Sequence, residues 1–480
     1  MTLLGAVFIP LAIACFLLRP FYLLPLLVVA SVFEAGSVFN GRVGDFDYGI
    51  SPFYLTEIFI VLRLLMLVLG PVKLRKVLPG KENPVRAIAW ALLALWLWCF
   101  SSAFIMPHLF AGTLVYGPRS NDEDGFVPLH WTLSNLAQAG YLTLNVGTIL
   151  YALHVVRTHR QAEQLIKALS LAVLVVVTIG FAQFLAAEAG LDFPYGTLNN
   201  NPSYAHGFDE DLGTVRRINS TFTEPSNAGS YLAAITCGLL ASFLSGRRGV
   251  GWFLALLGVT ATLFLTTSTT GFSALAMGAC LLIVYFNPFR EHRQGRKSSV
   301  FGWAIILGVF GAVGSVLLFT PDLLQAVQST TVEKGESYSF WVRLANDVHS
   351  LEILIETYGL GVGLGGNRSS GLIPTMLSSV GIVGTGLFAA VLYKIIKSFP
   401  GRSAPNSLQM GFWALLTMII SEIVAVPDLN RPALWALLML VLTELNVELN
   451  LHPSIKPVRS STVSPRRRLV RRSPGIAPAT

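Results

Sequence analysis

Residues 165–186, LIKALSLAVLVVVTIGFAQFLA, determine the fold class of this chain. Lys167 is the only charged residue in the stretch. An α-helix rises about 1.5 Å per residue, so a helix of this length crosses a hydrocarbon core of about 30 Å. The stretch therefore predicts a membrane-spanning helix.

The rest of the chain has a similar composition. Of its 480 residues, 53% are hydrophobic and 12% are charged, whereas soluble domains contain about 25% charged residues. The first apolar stretch is short, is followed by Arg19-Pro20 and lacks a signal-peptide pattern. We therefore predict an all-α polytopic membrane protein of 12 or 13 transmembrane helices. The candidate spans are Leu3–Leu18, Phe21–Phe39, Tyr54–Gly70, Ala87–Met106, Leu133–Val155, Leu165–Ala186, Ala228–Leu244, Val250–Thr266, Gly271–Phe286, Val300–Phe319, Ile373–Ile396, Gln409–Val426 and Ala433–Val447.

Basic residues indicate the orientation of these spans. Lys and Arg cluster in five loops, and basic residues are retained on the cytoplasmic side. Two spans separate each pair of neighbouring basic loops, so the loops between them face outward. The basic loops contain Lys73 to Arg86, Arg157 and Arg160, Arg247 and Arg248, Arg290 to Lys297, and Lys394 to Arg402. The outward loops are 107–132, 188–227, 266–270, 321–372 and 427–432.

The chain divides into two regions. Residues 1–450 form a transmembrane helical domain, which includes the outward loops 188–227 and 321–372. Residues 451–480 are rich in Arg and Pro and predict a disordered, basic cytoplasmic tail. Most of the net charge of +8 comes from this tail. Attraction to anionic lipid headgroups explains the charge without a nucleic-acid partner.

Cysteines give no sign of a disulfide framework or a metal site. All four fall inside predicted spans, at Cys15, Cys99, Cys237 and Cys280. Asp209-Glu-Asp211 is the nearest approach to an acidic metal motif in the outward loops, and an exposed turn explains it. We therefore expect no metal ion and no cofactor in the reaction.

The outward loop 188–227 ends in a candidate anion site. Residues 216–231, RRINSTFTEPSNAGSY, place two arginines and a glutamate before an apolar helix. A helix N-terminus near guanidinium groups suits a phosphate. Arg216 and Arg217 are therefore candidate phosphate ligands, and Glu224 is a candidate base.

A structural interpretation of the same residues is also open. Pro225 is suited to the first position of a helix, and Ser226 or Asn227 to its cap. Asn227 is thus a candidate substrate ligand on one interpretation and a helix cap on the other.

The outward loop 321–372 contains a predicted amphipathic helix from Ser337 to Glu356, which would lie at the membrane interface. Arg343 on this helix is a candidate for a substrate cleft, although an exposed ion-pair ladder with Asp347 and Glu336 is the alternative. The apolar residues at helical spacing are Phe340, Leu344, Val348, Leu351 and Ile355.

His349 is the one histidine of that loop. It is a candidate general base or substrate ligand. The alternative is an incidental position on the helix.

Glycine recurs in residues 359–371, GLGVGLGGNRSSG. Backbone at Gly363 and Gly365 can approach a phosphate closely, and Arg368 follows with Asn367 beside it. The run is not a dinucleotide-binding fingerprint, because it lacks the strand and helix context. A flexible entry into the next helix is the alternative.

Ionisable residues within predicted spans are costly unless they are paired or face a cavity. They are weak functional candidates. Glu57 and Arg63 are six residues apart, on different faces of one helix, so we do not pair them. The four are Glu34, Glu57, Arg63 and Glu422.

Four motifs follow one another along the chain: RINSTFTEPSN at 217–227, TSTTG at 267–271, Ser339 with Arg343 on the amphipathic helix, and GVGLG at 361–365 with GIVG at 381–384. Their order and common outward side resemble the O-antigen ligase and polysaccharide polymerase superfamily of bacterial inner-membrane proteins. The resemblance covers about residues 216–393. The preceding spans match that superfamily only in hydropathy.

One departure distinguishes two branches of that superfamily. Its ligases carry a His-Asn pair just after the glycine-rich entry, whereas Asn367-Arg-Ser-Ser stands here without a histidine. The chain therefore looks more like the polymerases of exopolysaccharide or capsule clusters. The resemblance implies a fold like that of the GT-C membrane glycosyltransferases, with Arg217, Glu224, Arg343 and Arg368 as catalytic residues.

The implied reaction moves a growing glycan from its polyprenyl diphosphate to another lipid-linked repeat unit, at the periplasmic face of the inner membrane. The arginines would neutralise the diphosphate, and Glu224 would activate the attacking hydroxyl. Besides this donor, this acceptor and membrane lipids, the implied partners are a flippase and a chain-length regulator.

Two other functions remain open. A ligase would use the same donor with a different acceptor. A lipid-linked oligosaccharide transporter would have charged residues along its spans, whereas here they cluster in outward loops. No inverted repeat of the kind found in many transporters is visible.

Overall fold

The fold is that of a computed structural model, which describes residues 1–43, 46–70, 77–80, 82–116, 125–204, 211–212, 215–246, 249–286, 308, 311 and 338–451. The sequence predictions that lie outside these residues, apart from Gly308, Gly311 and Leu451, include the span Val300–Phe319, the basic stretch Arg290 to Lys297, the basic pair Arg247 and Arg248, and the tail 451–480. Most of the acidic turn Asp209-Glu-Asp211 and part of the basic loop Lys73 to Arg86 also lie outside them.

The described chain is built mainly of α-helices. They are α1 (Leu3–Leu18), α2 (Leu23–Ala30), α3 (Pro52–Leu69), α4 (Val85–Leu109), α5 (Leu133–Val155), α6 (His159–Glu188), α7 (Tyr195–Leu198), α8 (Pro225–Leu244), α9 (Val250–Leu265), α10 (Thr269–Phe286), α11 (Tyr338–Glu356), α12 (Leu372–Ser398), α13 (Asn406–Ala425) and α14 (Pro432–Leu451). The strands form antiparallel pairs, β1 (Phe39–Val43) with β2 (Phe46–Ile50), β3 (Leu114–Val115) with β4 (Val127–Pro128), and β5 (Asp211–Leu212) with β6 (Val215–Arg216).

Among the described helices, eight are long and apolar enough to cross a membrane. They are α3, α4, α6, α8, α10, α12, α13 and α14. Three shorter apolar helices, Leu3–Leu18, Pro20–Ala30 and Val250–Leu265, accompany them. The chain is therefore a multi-pass α-helical membrane protein. The count of 12 or 13 spans stays a prediction.

Eleven of the predicted spans coincide with helices, but the second one, Phe21–Phe39, is wrong beyond Ala30. Helix α2 ends there, and residues 31–38 continue as buried, non-helical chain. The N–H of Ala35 donates to Thr221 O, and its carbonyl accepts from the N–H of Asn201. Residues of the polar loop before α8 thus supply hydrogen-bond partners for the peptide N–H and C=O groups of this segment, which a helix would otherwise have to supply.

Helix α8 lies at the centre of the fold. It packs against α9, α10 and α13, and every side chain from Ala228 to Leu244 is buried. A Cβ atom at Gly238 would lie 2.7 Å from the carbonyl oxygen of Met410 on α13. Small residues allow this close approach of two helix backbones. The residues at the start of α8 are thereby held in the middle of the molecule.

Helix α12 is broken at Gly381, where φ is +69°. Carbonyl groups left by the break gain new donors from the glycine-rich run, since Val362 N and Gly363 N donate to Ser378 O and Ser379 O. The indole of Trp98 donates to the carbonyl of Val380 at 2.8 Å. Broken helices persist within membrane proteins only when such partners exist.

Candidate functional site

Arg431 is the centre of a buried charged cluster. Its Nη1 donates to Glu422 Oε1 at 2.8 Å, and its Nε donates to Glu34 Oε2 at 3.4 Å. Its Nη2 donates to the backbone carbonyl of Asn227 at 2.6 Å. Only 1% of the Arg431 side chain is exposed. One side chain therefore joins the segment after α2, the start of α8, the end of α13 and the start of α14.

Asn227 belongs to this cluster through its side chain as well. Its Nδ2 donates to Glu34 Oε1 at 3.0 Å and to Thr223 Oγ1 at 2.7 Å. Pro225 is the first residue of α8, as predicted, but the proposal that Ser226 or Asn227 caps this helix is wrong. Glu224 occupies the cap position, and Asn227 lies within the first turn of the helix.

The pKa values in the cluster depend on burial and on the attraction between the Arg431 guanidinium and the carboxylates of Glu34 and Glu422. Burial raises the pKa of Glu34, while Arg431 opposes the shift. Burial alone would lower the pKa of Arg431, but Glu422 and Glu34 outweigh it and raise that pKa. Arg431 therefore stays cationic, and the Glu34 carboxyl binds a proton more readily than an exposed one does.

Tyr204 links the cluster to a residue predicted from the glycine-rich run. Asp428, Glu34 and Arg368 all lie within electrostatic range of its hydroxyl. Burial raises the pKa of Tyr204 well above its ordinary value, and Asp428 adds to the effect. The phenol therefore remains neutral and can donate a hydrogen bond.

Glu224 occupies the edge of the same region. Its carboxylate accepts a hydrogen bond from Ser226 Oγ at 2.9 Å and lies within electrostatic range of Glu34. The predicted base is therefore close to the buried cluster and is itself half-buried.

Arg217 lies at a neighbouring turn. Its Nε donates to Thr266 O at 3.4 Å, and a Cβ atom at Gly229 would lie 2.6 Å from Cβ of Ser268. The loop before α8 and the start of that helix are thus packed against the turn between α9 and α10. Arg216 is in β6, opposite Asp211, and its side chain lies outside the described part of the structure.

Arg343 is exposed on α11, and its carbonyl accepts from Ser370 Oγ at 3.1 Å. Asp347 accepts from Ser369 Oγ at 2.6 Å and from Ser370 N at 3.0 Å. Asp347 therefore joins α11 to the glycine-rich run. The predicted exposed ion-pair ladder does not account for these contacts. Glu336, the third member of that ladder, lies outside the described residues.

Arg368 is exposed, whereas its neighbour Asn367 is firmly held. Asn367 is buried, and its Oδ1 accepts from Tyr116 N at 2.9 Å. Its Nδ2 donates to Ser350 Oγ at 3.1 Å and to Ser378 Oγ at 2.9 Å. Arg368 itself is exposed. The side-chain amide of Asn367, and not the guanidinium of Arg368, therefore fixes this part of the glycine-rich run.

Gly363 and Gly365 approach protein backbone closely. Their φ angles are +96° and +82°, and added Cβ atoms would lie 2.7 Å from Ser102 O and 2.9 Å from Ser134 O. Packing against α4 and α5 accounts for both glycines. Their role in binding a phosphate stays a prediction.

His349 holds α11 against the β3–β4 hairpin. Its Nε2 lies 2.9 Å from Leu114 O, its Nδ1 lies 3.0 Å from Glu352 Oε2, and its ring packs on Phe126. These contacts account for the histidine structurally, and the proposed base or ligand role is untested.

The sequence motifs do not indicate Arg431, Asp428 or Tyr204 as site residues. One signal in the sequence does point to two of them, because the predicted outward loop 427–432 contains both an acid and an arginine. Glu34 and Glu422 are acids within predicted spans, and Arg431 is a positive partner of the kind that such acids require.

Fold and cluster together define a class: a multi-pass helical membrane protein with a buried ionised cluster where several loops meet. Comparison with protein-family models, with curated proteins and with solved structures gives no match.

Proposed function

We propose that this protein is a polysaccharide polymerase that joins polyprenyl-diphosphate-linked repeat units at the outer face of the bacterial inner membrane. The observation that carries the proposal is the meeting of three predicted outward loops. Arg431 of loop 427–432 donates to the carbonyl of Asn227 in loop 188–227, and Arg217 of that loop donates to Thr266 O.

The reaction requires a positive environment for a leaving diphosphate. The anomeric C–O bond breaks, and its electron pair leaves with the diphosphate. A hydroxyl of the acceptor sugar forms the new C–O bond and gives its proton to a base. Arg217, Arg343 and Arg368 are assigned to the diphosphate, because a guanidinium binds phosphate oxygens bidentately, and Glu224 is assigned as the base.

A lipid-linked substrate also requires access from the bilayer. Helix α11 carries exposed apolar side chains, including Leu344, Val348 and Leu351. An amphipathic helix of this kind lies at the membrane interface. Arg343 is on α11, and its carbonyl accepts a hydrogen bond from Ser370. A position of α11 at the interface would place the guanidinium of Arg343 at the depth of the lipid diphosphates.

Deletion of the gene, followed by gel analysis of lipid-linked glycan, tests the reaction. Single repeat units should accumulate if the protein is a polymerase. Long free polymer with an unmodified acceptor would support a ligase instead. Unchanged glycan would contradict both activities.

Substitution of the arginines tests the site. Arg217→Lys, Arg343→Lys and Arg368→Lys should each abolish polymer formation at normal membrane abundance, because an ammonium group cannot replace the planar fork of a guanidinium. Arg160→Lys, in a predicted cytoplasmic loop, is the matched control and should form normal polymer. Normal polymer from all three variants would remove the proposed role.

A further inference from the structure

Asn430 joins helices α3 and α5 to the loop before α14. Its N–H donates to Asp428 Oδ1 at 2.8 Å, and its carbonyl accepts from Tyr54 Oη at 2.7 Å. Its Oδ1 accepts from Asn145 Nδ2 at 3.1 Å, and its Nδ2 donates to Gln138 Oε1 at 2.6 Å and to Gln138 O at 3.0 Å. Asn430 is fully buried, and each of its polar groups has a partner. A satisfied buried network of this kind fixes the side chains that take part in it.

Tyr141 extends this group along α5. Residues three apart lie on one face of a helix, so Tyr141 follows Gln138 on the face that meets Asn430. The ring of Tyr141 stacks on the ring of Tyr54 with centroids 3.9 Å apart, and its hydroxyl lies within electrostatic range of Asp428. Gln138, Tyr141 and Asp428 are thus arranged around one fixed asparagine.

Each of these three side chains keeps a polar atom that the described residues do not use. Gln138 and Asp428 bond to Asn430 through Oε1 and Oδ1, which leaves Gln138 Nε2, Asp428 Oδ2 and Tyr141 Oη. All three residues are half-buried, and none of the three atoms is among the described polar atoms that are both unpaired and sealed from solvent. A turn at Asp428 accounts for Oδ1 but not for Oδ2. The group therefore offers one donor, one acceptor and one hydroxyl to a ligand.

The combination of these atoms determines the class of ligand. The carboxylate of Asp428 repels a diphosphate. The amide nitrogen of Gln138 only donates, so it does not coordinate a cation. A sugar hydroxyl both accepts and donates, and it can therefore bond to the amide nitrogen and to the carboxylate. Small-molecule sites likewise combine aromatic surface with a few fixed polar groups. The group is thus suited to a neutral sugar.

We propose that Gln138, Tyr141 and Asp428 form an acceptor subsite, which binds a sugar of the acceptor repeat unit. This assignment rests on the proposed polymerase function. It gives the acceptor a binding place separate from the arginines that are assigned to the donor diphosphate.

Loop 427–432 connects the acceptor subsite with the start of α8. Arg431, three residues after Asp428, donates through Nη2 to the carbonyl of Asn227 at 2.6 Å. Glu224, which is assigned as the base, caps the same helix. The buried charged cluster thus fixes the acceptor subsite relative to the base.

Binding of a free oligosaccharide tests the acceptor subsite. The probe is the repeat-unit oligosaccharide that mild acid releases from the lipid-linked glycan of the deletion strain. It lacks the diphosphate, so its binding does not require the arginines. Calorimetric titration of the full chain in detergent micelles measures the Kd. Asp428→Asn should raise the Kd at least about tenfold, because a neutral hydrogen bond replaces a charge-assisted one. Tyr141→Phe keeps the ring, removes one hydroxyl and should raise the Kd about fivefold.

Asp192→Asn is the matched control, because Asp192 is exposed in the predicted outward loop 188–227. It should bind the oligosaccharide as the wild type does. The acceptor subsite is overturned if the wild-type protein does not bind the oligosaccharide, or if Asp428→Asn has the wild-type Kd. An unchanged Kd together with loss of polymer would assign Asp428 to catalysis and likewise overturn the subsite. If Asp428→Asn fails to fold, Tyr141→Phe decides, and an unchanged Kd overturns the proposal.

The acceptor subsite and the polymerase function fail in different experiments. Unchanged glycan in the deletion strain contradicts the polymerase, and the subsite falls with it. Accumulated single repeat units, together with an unchanged Kd in Asp428→Asn, contradict the subsite alone.

Discussion

Arg431 places one guanidinium against two carboxylates in a region closed to solvent. Removing charges from water costs several kcal/mol per ion, and the attraction within the cluster offsets that cost only while every member is present. The cluster is thus a weak source of net stability but a strong constraint on structure. It fixes the start of α8 relative to α13 and α14.

Arg431→Met should lower the free energy of unfolding by about 3–5 kcal/mol, because Glu34 and Glu422 lose their cation while they remain buried. Denaturant unfolding in detergent micelles measures the loss. Arg343→Met removes an exposed guanidinium and should cause no comparable loss. Equal losses in the two variants would contradict the special role of the buried cluster.

Only part of this cluster could be predicted from the sequence. The sequence indicates Asn227, because this residue stands at a visible helix start. It does not indicate Arg431, because Glu34 is 397 positions away along the chain and no local pattern pairs two such residues. Contacts of that separation depend on how helices pack, which periodicity alone does not specify.

Helix α12 shows the same limit at the scale of one element. The sequence predicts a continuous helix through Ile373–Ile396, since apolar residues recur without a proline after the first turn. Gly381 nevertheless breaks it, because Gly359 and Leu360 occupy the space beside the helix and Ile382 N donates to Gly359 O. The break therefore depends on the contact between residues 359–360 and α12, and glycine permits the backbone conformation that the break requires.

The sequence likewise does not predict the three antiparallel strand pairs of the described chain. Residues 39–50 pair as β1 and β2, with Phe39 opposite Ile50. A long apolar run before them favoured a helix through Phe39. The helices themselves were predictable, because apolar length and cap residues such as Thr158 are local signals.

Gly381→Ala should destabilise the protein by more than about 2 kcal/mol, since it forces a left-handed φ on alanine. The new Cβ would also lie 2.4 Å from Gly359 O. Thermal unfolding measures the effect. Gly386→Ala in the same helix is the control, because nothing lies within 4 Å of its added Cβ, and it should stabilise by about 0.5–1 kcal/mol. A neutral Gly381→Ala would show that the break is not required.

At the scale of the whole molecule, α8 and α14 form the interior and more exposed helices surround them. The spans of α8 and α14 are each 94% buried, whereas those of α3, α4, α6, α10 and α12 are 39–44% buried. Lipid-facing helices expose an apolar side, and interior helices carry the polar groups that need protein partners. The charged cluster therefore lies where lipid does not reach it.

The basic residues at the start of α6 predict the orientation of the molecule in the membrane. Helix α6 has 30 residues, about 45 Å in length, so its ends should lie on opposite sides of the membrane. His159 and Asp192 mark the two ends and are exposed. In a variant without native cysteines, a membrane-impermeant maleimide should label Asp192→Cys in intact cells and His159→Cys only after permeabilisation, because Arg157 and Arg160 retain that end in the cytoplasm. The cysteine-free parent is the control. Reversed labelling would place loop 188–227, with Arg217, in the cytoplasm and exclude a periplasmic site. Labelling of both positions in intact cells would show that α6 does not span.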